Sequence, residues 1–158
     1  MTQIKISISA QTLTLEDGSE RHQYSISTAE NGAGQSSGSG CTPLGSHYIR
    51  AKIGRSEPEN AVFVARRATS EIYSEKLAVT FPNRDWILSR ILWLCGTQLG
   101  FNRLGNVDTM QRYIYIHGTP DSEPMGVPKS HGCIRMRNKD VVHLFDHTPV
   151  GTPVSISL

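Results

Sequence analysis

The sequence predicts a single domain of the mainly β class, and three features of the chain support this prediction. Its 158 residues suit one domain with a core of its own. The 14 glycines and 8 prolines supply many turn positions, which favours a strand-rich fold over a helix bundle. Apolar and polar residues also alternate over several short stretches, as in half-buried strands. We therefore expect residues 1–158 to form one domain.

The first part of the chain has the pattern of strands joined by turns. Alternation over residues 4–8, 13–15 and 24–28 predicts an antiparallel meander. Residues 31–41 are rich in Gly and Ser and predict a loop, which is not a phosphate-binding loop because no Gly-Lys-Ser/Thr follows. Two further strands are predicted over residues 47–53 and 61–65.

The stretch Asn83–Leu99 has the spacing of a helix. Its apolar residues recur at three- and four-residue intervals, at Trp86, Ile87, Ile91, Leu94 and Cys95. Asn83 or Asp85 can cap its first turn. The pattern therefore predicts the longer of two helices here, with Cys95 as a small packing residue.

The last third of the chain predicts two more strands and a short helix. Residues 112–117 have high β-propensity, and a loop punctuated by Gly and Pro follows over 118–129. Asn138 is the expected cap of the short helix, which carries Val141, Val142, Leu144 and Phe145. A final strand is predicted over residues 154–156.

The charged residues give no indication of a nucleic-acid or membrane partner. The formal net charge is +2, and Arg66-Arg67 is the only adjacent basic pair, whereas nucleic-acid surfaces concentrate their basic residues. No apolar stretch approaches the roughly 20 residues that a membrane-spanning helix needs. We therefore expect neither partner.

The cysteines and the N-terminal segment bear on the cellular compartment. Cys41, Cys95 and Cys133 form no CxxC pair, which argues against a disulfide framework and a structural zinc site. The first residues lack the basic and apolar regions of a secretory signal. The expected location is the cytoplasm, or the periplasm if the chain is a processed mature form.

Cysteine-based acyl transfer needs a thiol, a base oriented by a third group, and donors facing the developing oxyanion. His117 ends a predicted strand and precedes Gly118, so its ring can lie at the mouth of a loop. Cys133 follows Ser-His-Gly at 130–132, and Gly132 permits close approach of the backbone to a substrate. The amides of His131, Gly132 and Cys133 are candidates for an oxyanion hole. These features predict a nucleophile at Cys133 and a base at His117.

Two motifs resemble the catalytic signature of the L,D-transpeptidase (YkuD-type) family. They are Ile-His-Gly-Thr at 116–119 and Ser-His-Gly-Cys-Ile-Arg-Met at 130–136. The Thr-Pro-Leu-Gly turn at 42–45 and the segment Gly-Thr-Pro-Val-Ser-Ile at 151–156 resemble other parts of the family pattern. Arg135 stands where the stricter form of the motif has Asn, a departure that affects the substrate detail more than the reaction class.

The resemblance implies a β-sandwich-like catalytic domain whose active site uses no metal or cofactor. It implies that Cys133 attacks a peptidoglycan stem peptide at the L centre of its third residue, a diamino acid. D-Ala then leaves and a thioester remains. His117 takes the thiol proton, while its other ring nitrogen is held by a backbone carbonyl, for which Gly118 is the expected residue.

The sequence leaves the substrate contacts and the acyl acceptor more open. Arg135 is a candidate for binding a substrate carboxylate, and Ser130 for binding either the substrate or its own loop. Water as acceptor gives L,D-carboxypeptidase action, and an amine gives a 3-3 cross-link. Because no signal is visible, soluble muropeptides and the carboxypeptidase reaction are favoured. The resemblance also implies that carbapenems acylate Cys133.

The residue pattern is compatible with further functions. His143 and His147 are four residues apart and could join His117, His131 and Cys133 in a metal site, although the Glu of a His-Glu-x-x-His motif is missing. The same pattern also allows a different cysteine peptidase or a sortase-like transpeptidase, a non-catalytic wall-binding module, or a buried structural thiol at Cys133. The loop 31–41 or the region 54–84 is expected to cover the site.

Overall fold

The computed structural model describes all 158 residues and is built around one continuous β-sheet. In chain order the strands are β1 (Thr2–Ser7), β2 (Thr12–Asp17), β3 (Glu20–Ser27), β4 (Gly45–Ile53), β5 (Ala61–Val64), β6 (Arg67–Ile72), β7 (Ile87–Gly96), β8 (Tyr115–Gly118), β9 (Ile134–Met136) and β10 (Pro153–Ser157). The helices are α1 (Glu75–Thr80) and α2 (Asn138–His147). The predicted mainly β class, with one longer and one shorter helix, is confirmed.

Eight of the strands close into a ring. Their order is β4-β10-β1-β2-β3-β9-β8-β7, and β7 pairs back with β4. The pairs β1–β10 and β8–β9 are parallel, and the remaining pairs are antiparallel. The hairpin β5–β6 extends the sheet beyond β7. The first three strands form the meander that the alternation predicts.

One hydrophobic core fills the ring. Every strand of the ring contributes to it, and α2 adds Val141, Leu144 and Phe145. Burying a side chain of this size contributes about 1.5–3 kcal/mol, so the ring and α2 stabilise one another. This sandwich-like enclosure of one core agrees with the predicted fold class. Neither helix has the length and apolar character required to cross a membrane.

The helix predicted over Asn83–Leu99 is wrong, because most of this stretch is strand β7. The strand pairs with β4, β5 and β8 and is buried along nearly its whole length. A strand covered on both faces is apolar throughout, and its sequence cannot be told from a buried helix by periodicity. Ser89, with φ of 71°, marks a register shift in the pairing and adds to the departure from simple alternation. Cys95 is nonetheless a buried packing residue.

Smaller differences concern the ends of elements. Arg137, not Asn138, is the cap of α2, and Asn138 is the first residue of the helix. Its side chain instead joins the interior hydrogen bonds, accepting from Ser89 Oγ at 2.7 Å. The strand predicted over 112–117 begins only at Tyr115, because Tyr113 has a left-handed φ of 56°. The strand β6 and the helix α1 were not predicted.

Candidate active site

The parallel pair β8–β9 brings the two predicted catalytic residues to one cleft. Ile116 lies opposite Ile134 in the register, so His117 near the end of β8 lies close to Cys133, which directly precedes β9. Both side chains line a cleft of about 330 Å³. The two motifs therefore belong to one site, although they are separated by a loop in the sequence.

The imidazole of His117 is buried and oriented by a backbone carbonyl. Its Nδ1 atom lies 2.6 Å from the carbonyl oxygen of Gly118, the contact expected from the sequence. Because Nδ1 donates this hydrogen bond, Nε2 is free to accept a proton. Burial lowers the pKa of His117 below its ordinary value, against the opposing effect of the Gly118 carbonyl. The ring is therefore held neutral, as a general base requires.

Gly118 owes its identity to close packing. A Cβ at this position would lie 2.3 Å from Asn138 Oδ1 and 2.6 Å from the carbonyl oxygen of Leu88. The same Asn138 donates through Nδ2 to the carbonyl of Thr119 at 2.9 Å. The carbonyl that holds His117 is thus fixed by α2 on one side and β7 on the other.

The thiol of Cys133 is held by the backbone that leads into β8. Its Sγ atom accepts from the Tyr115 amide and donates to the Tyr113 carbonyl, each at 3.3 Å, rather than bonding to His117. Burial raises the pKa of the Cys133 thiol to about 12. A resting thiol of this kind needs a base at the moment of attack, and hydrogen bonds of catalytic pairs often tighten only with substrate bound.

The turn that carries Cys133 is braced by two hydroxyl groups. Ser130 Oγ donates to the Cys133 carbonyl at 2.5 Å and accepts from the Gly132 amide at 3.2 Å. Thr42 Oγ1 donates to the Gly132 carbonyl at 2.9 Å and accepts from the Ala29 amide at 3.0 Å. Ser130 is thereby engaged inside the turn, and its contact with substrate stays a prediction.

Two of the three predicted oxyanion donors are unengaged. The Gly132 amide is bound by Ser130, so this geometry does not support its predicted role. The amides of His131 and Cys133 donate no hydrogen bond within the protein. Gly132 serves the turn differently, because its φ of +132° is one that a residue with a side chain rarely adopts.

Arg135 is already paired within the protein. Its side chain is almost wholly buried and contacts Asp85 Oδ1 at 3.3 Å, Glu123 Oε2 at 3.5 Å and the Lys129 carbonyl at 3.2 Å. Asp85 also lies 3.7 Å from Nδ1 of the exposed His131. A substrate carboxylate would have to compete with these partners, so binding by Arg135 stays a prediction.

Arg112 connects the cleft to the Gly/Ser-rich loop. Its guanidinium donates to the carbonyls of Gly34, Gln35 and Cys41 and approaches Ser39 Oγ. The loop of residues 31–41 thereby approaches the site through Arg112. The hairpin β5–β6 borders it on another side through Ala65 and Arg66. Which of the two segments covers a bound substrate stays a prediction.

The two helical histidines that were weighed as metal ligands do not line the cleft. His143 and His147 on α2 stack with ring centroids 4.2 Å apart, and His22 of β3 joins them at 4.9 Å from His143. No three His, Cys, Asp or Glu side chains converge in a way that could hold a metal ion.

Sequence reasoning missed four residues of the cleft or its support: Thr42, Arg66, Asp85 and Arg112. Thr42 belongs to the Thr-Pro-Leu-Gly motif, and this motif was the sequence signal that could have identified it as part of the site. Asp85 was interpreted only as a helix cap, an error that followed from the helix prediction. Arg66 and Arg112 carried no local signal, because only the folded loops bring them to the cleft.

Comparison with known proteins identifies relatives of this fold and of its motifs. A 45-residue segment is 53% identical to the Probable L,D-transpeptidase ErfK/SrfK of Salmonella typhimurium, covering 28% of this chain and 15% of that protein. The fold resembles L,D-transpeptidase 3 from Mycobacterium tuberculosis with a faropenem-derived adduct, at TM-score 0.59 and 17% identity, covering 99% of this chain and 60% of that one. It also resembles LdtMt1 in complex with imipenem, at TM-score 0.57 and 22% identity, covering 99% and 58%.

The chain thus spans less than two thirds of each of these proteins. The family assignment depends instead on a match along its own length. The family model of the L,D-transpeptidase catalytic domain, YkuD, matches residues 1–156. The chain belongs to the L,D-transpeptidase catalytic domain (YkuD) family.

Proposed function

We propose that this domain is a cysteine acyltransferase acting on peptidoglycan stem peptides, with Cys133 as nucleophile and His117 as base. One observation carries the proposal: both side chains line a single cleft, and the imidazole is held by Gly118 in the tautomer that accepts a proton. Family membership supports the substrate class. The raised pKa of Cys133 supports a base-assisted attack over a resting ion pair.

The reaction proceeds in two halves. Nε2 of His117 takes the thiol proton as Sγ of Cys133 attacks the carbonyl of the diamino acid at its L centre. The tetrahedral intermediate collapses to a thioester, and His117 returns the proton to the amine of the departing D-Ala. An acceptor then attacks the thioester, with His117 again as base, and the free thiol is restored.

The oxyanion of the intermediate is assigned to the amides of His131 and Cys133. Both lie in the braced turn and are free of internal acceptors. Thr42 and Ser130 hold this turn, so its donors need no rearrangement when charge develops. One such donor is typically worth about 100- to 1,000-fold in kcat.

Two acceptors complete the reaction. Water yields a tripeptide, the L,D-carboxypeptidase outcome expected from the sequence. An amine of a second stem yields a cross-link, and one observation favours it. A second cavity of about 280 Å³ adjoins the cleft at Asp85, His131 and Arg135, giving room for a second peptide.

Product masses from a defined tetrapeptide test the proposal. The wild-type domain should release D-Ala and give a tripeptide, a dimer or both. The variant Cys133→Ala should lose at least about 10⁴-fold in turnover, as expected for removal of a nucleophile. The variant Cys41→Ala, which removes another partly accessible thiol, is the matched control and should retain turnover.

A covalent probe tests the nucleophile independently of the peptide. Because one solved relative was obtained in complex with imipenem, we expect this carbapenem to add to Cys133. Intact-mass measurement should show one adduct on wild type and on Cys41→Ala, and none on Cys133→Ala. Turnover by a folded Cys133→Ala variant at the wild-type rate would overturn the proposal.

A further inference from the structure

Three arginines line the cleft, and the guanidinium of Arg66 has the fewest partners within the protein. Arg112 donates to backbone carbonyls of the loop 31–41. Arg135 is paired with Asp85 and Glu123. Arg66 takes part in none of the ion pairs of the structure. Among the three arginines that line the cleft, Arg66 is therefore the one available to bind an anion.

The guanidinium of Arg66 is nonetheless held in place. Nη1 donates to the Tyr115 hydroxyl at 2.9 Å. The group lies 4.6 Å from the ring centroid of Tyr113 and 5.1 Å from that of Trp93, within the range of cation–π attraction. Nε and Nη2 donate to no group of the protein, which leaves one edge of the fork free for a bidentate contact with a carboxylate.

The backbone at Arg66 is strained in a way that is common at functional positions. Ala65 and Arg66 form the tip of the hairpin β5–β6 with φ of 48° and 65°. Such hairpin tips prefer Asn or Gly, since residues with larger side chains adopt this region at an energetic cost. The Arg66 side chain contacts the ring of Tyr113 and the hydroxyl of Tyr115, and all three residues line the cleft.

Tyr115 connects this cation to the thiol. Its hydroxyl holds the Arg66 guanidinium, and its backbone amide donates to Cys133 Sγ. Because Arg66 and Cys133 also line the same cleft, we expect a free carboxylate within one residue of the attacked carbonyl to meet Arg66 while Cys133 attacks. A stem peptide offers two such groups: the terminal carboxylate of D-Ala, and the side-chain carboxylate of a diamino acid that carries one.

We propose that Arg66 is a specificity-determining residue that binds a carboxylate of the stem peptide beside the attacked carbonyl. The proposal rests on the proposed function, and it adds that the substrate must carry a free carboxylate for Arg66 to bind. Arg66 acts in binding and orientation, and the chemistry stays with Cys133 and His117.

The test combines variants with substrates that lack one carboxylate each. Wild type, Arg66→Gln and the control Arg67→Gln are assayed with a tetrapeptide, its C-terminal amide, and an analogue amidated on the diamino acid side chain. Arg67 follows on the same hairpin with an exposed side chain and does not line the cleft. For wild type, one of the two amides should lower kcat/KM by about 10- to 100-fold, the size expected for a charged hydrogen bond.

With the free acid, Arg66→Gln should show the same loss of about 10- to 100-fold in kcat/KM that the poor amide causes in wild type. Amidating the same carboxylate should then lower kcat/KM of Arg66→Gln little further, whereas Arg67→Gln should behave as wild type. Which amide is poor identifies the carboxylate. If Arg66→Gln loses kcat/KM equally for the free acid and for both amides, its role is merely structural and the inference is overturned. The inference is also overturned if wild type has the same kcat/KM for the acid and both amides. Failure of the proposed function is distinct, because wild type would then turn over none of the three substrates.

Discussion

The Nδ1 atom of His117 lies 2.6 Å from the carbonyl oxygen of Gly118, and this contact sets the protonation state of the site. The carbonyl can only accept, so it fixes the proton on Nδ1 and leaves Nε2 bare. The carbonyl occupies the place of the third member in triad-like sites and has the same orienting effect. An uncharged orienting group suits a histidine whose ring is buried.

The pH dependence of acyl transfer should follow from the shifted pKa values of the pair. Burial lowers the pKa of His117 below 6.5, so the proton-accepting form predominates at neutral pH and is lost only on acidification. Burial raises the pKa of Cys133 to about 12, so no thiolate forms in mildly alkaline solution. We expect kcat/KM to fall only on the acid side of the ordinary imidazole pKa and to stay level above it. A rise in rate that titrates at the ordinary thiol value of 9.0 would contradict this.

Replacing Thr42 should impair catalysis without touching the cleft. The variant Thr42→Val leaves the Gly132 carbonyl and the Ala29 amide without their partner, which costs about 1–3 kcal/mol per buried group. We expect lower stability in denaturant unfolding and a lower kcat, because the turn with Cys133 loses its brace. Thr42→Ser keeps the hydroxyl and should restore most of both. Equal kcat values for the two variants would argue against the brace.

Gly132 and Gly126 form a matched pair for testing the catalytic turn. Both have positive φ, but a Cβ at Gly132 would lie 3.3 Å from the Cys41 carbonyl oxygen, whereas nothing lies within 4 Å at Gly126. Gly126→Ala should lose about 1–2 kcal/mol from the left-handed backbone alone and keep its activity. Gly132→Ala should lose more stability and most of its kcat. Thermal unfolding and single-turnover rates measure the two effects separately.

His47 should make the fold sensitive to acid. It is buried between the Gly45 carbonyl and Thr109 Oγ1, and burial lowers its pKa from 6.5 to about 4. Between these values the unfolded chain binds a proton that the folded chain does not, so stability falls as pH drops from 6.5 toward 4. The loss is on the order of 3 kcal/mol.

Unfolding free energies at neutral pH and near pH 4 test this effect of His47. His47→Gln should be less stable at neutral pH and show a smaller loss on acidification. If His47→Gln loses as much stability on acidification as wild type, the acid sensitivity belongs to other groups, of which the buried His117 is the first to consider.

The sequence predicts the strands that have one covered face, and it fails where burial removes the pattern. The meander at residues 4–28 and the strand at 47–53 alternate clearly, since one face of each meets the core. Strand β7 is covered on both faces, so Asn83–Leu99 offered helical spacing and no alternation. Tertiary pairing, which no local pattern records, decided its conformation.

The residues of the candidate site likewise fall into two groups, those that a local motif predicts and those that only the fold brings together. Cys133, His117 and Gly118 could be predicted as site residues because each lies in a compact motif, and the fold brings the two motifs to one cleft. Arg66 reaches the cleft through a hairpin tip some fifty residues before β8 in the chain, a placement that depends on β5 pairing with β7. The pairing of Arg135 with Asp85 and Glu123 likewise joins three separate segments. Contacts of this kind arise only from the tertiary fold.

The position of β10 between β1 and β4 has a consequence for how the domain matures. During synthesis, both neighbours keep an open hydrogen-bonding edge until residues 153–157 emerge from the ribosome. Open edges invite pairing with other chains, and contacts between the first and last strands form slowly because they are so distant in sequence. A nascent chain therefore carries both motifs of its cleft before the ring of strands can close.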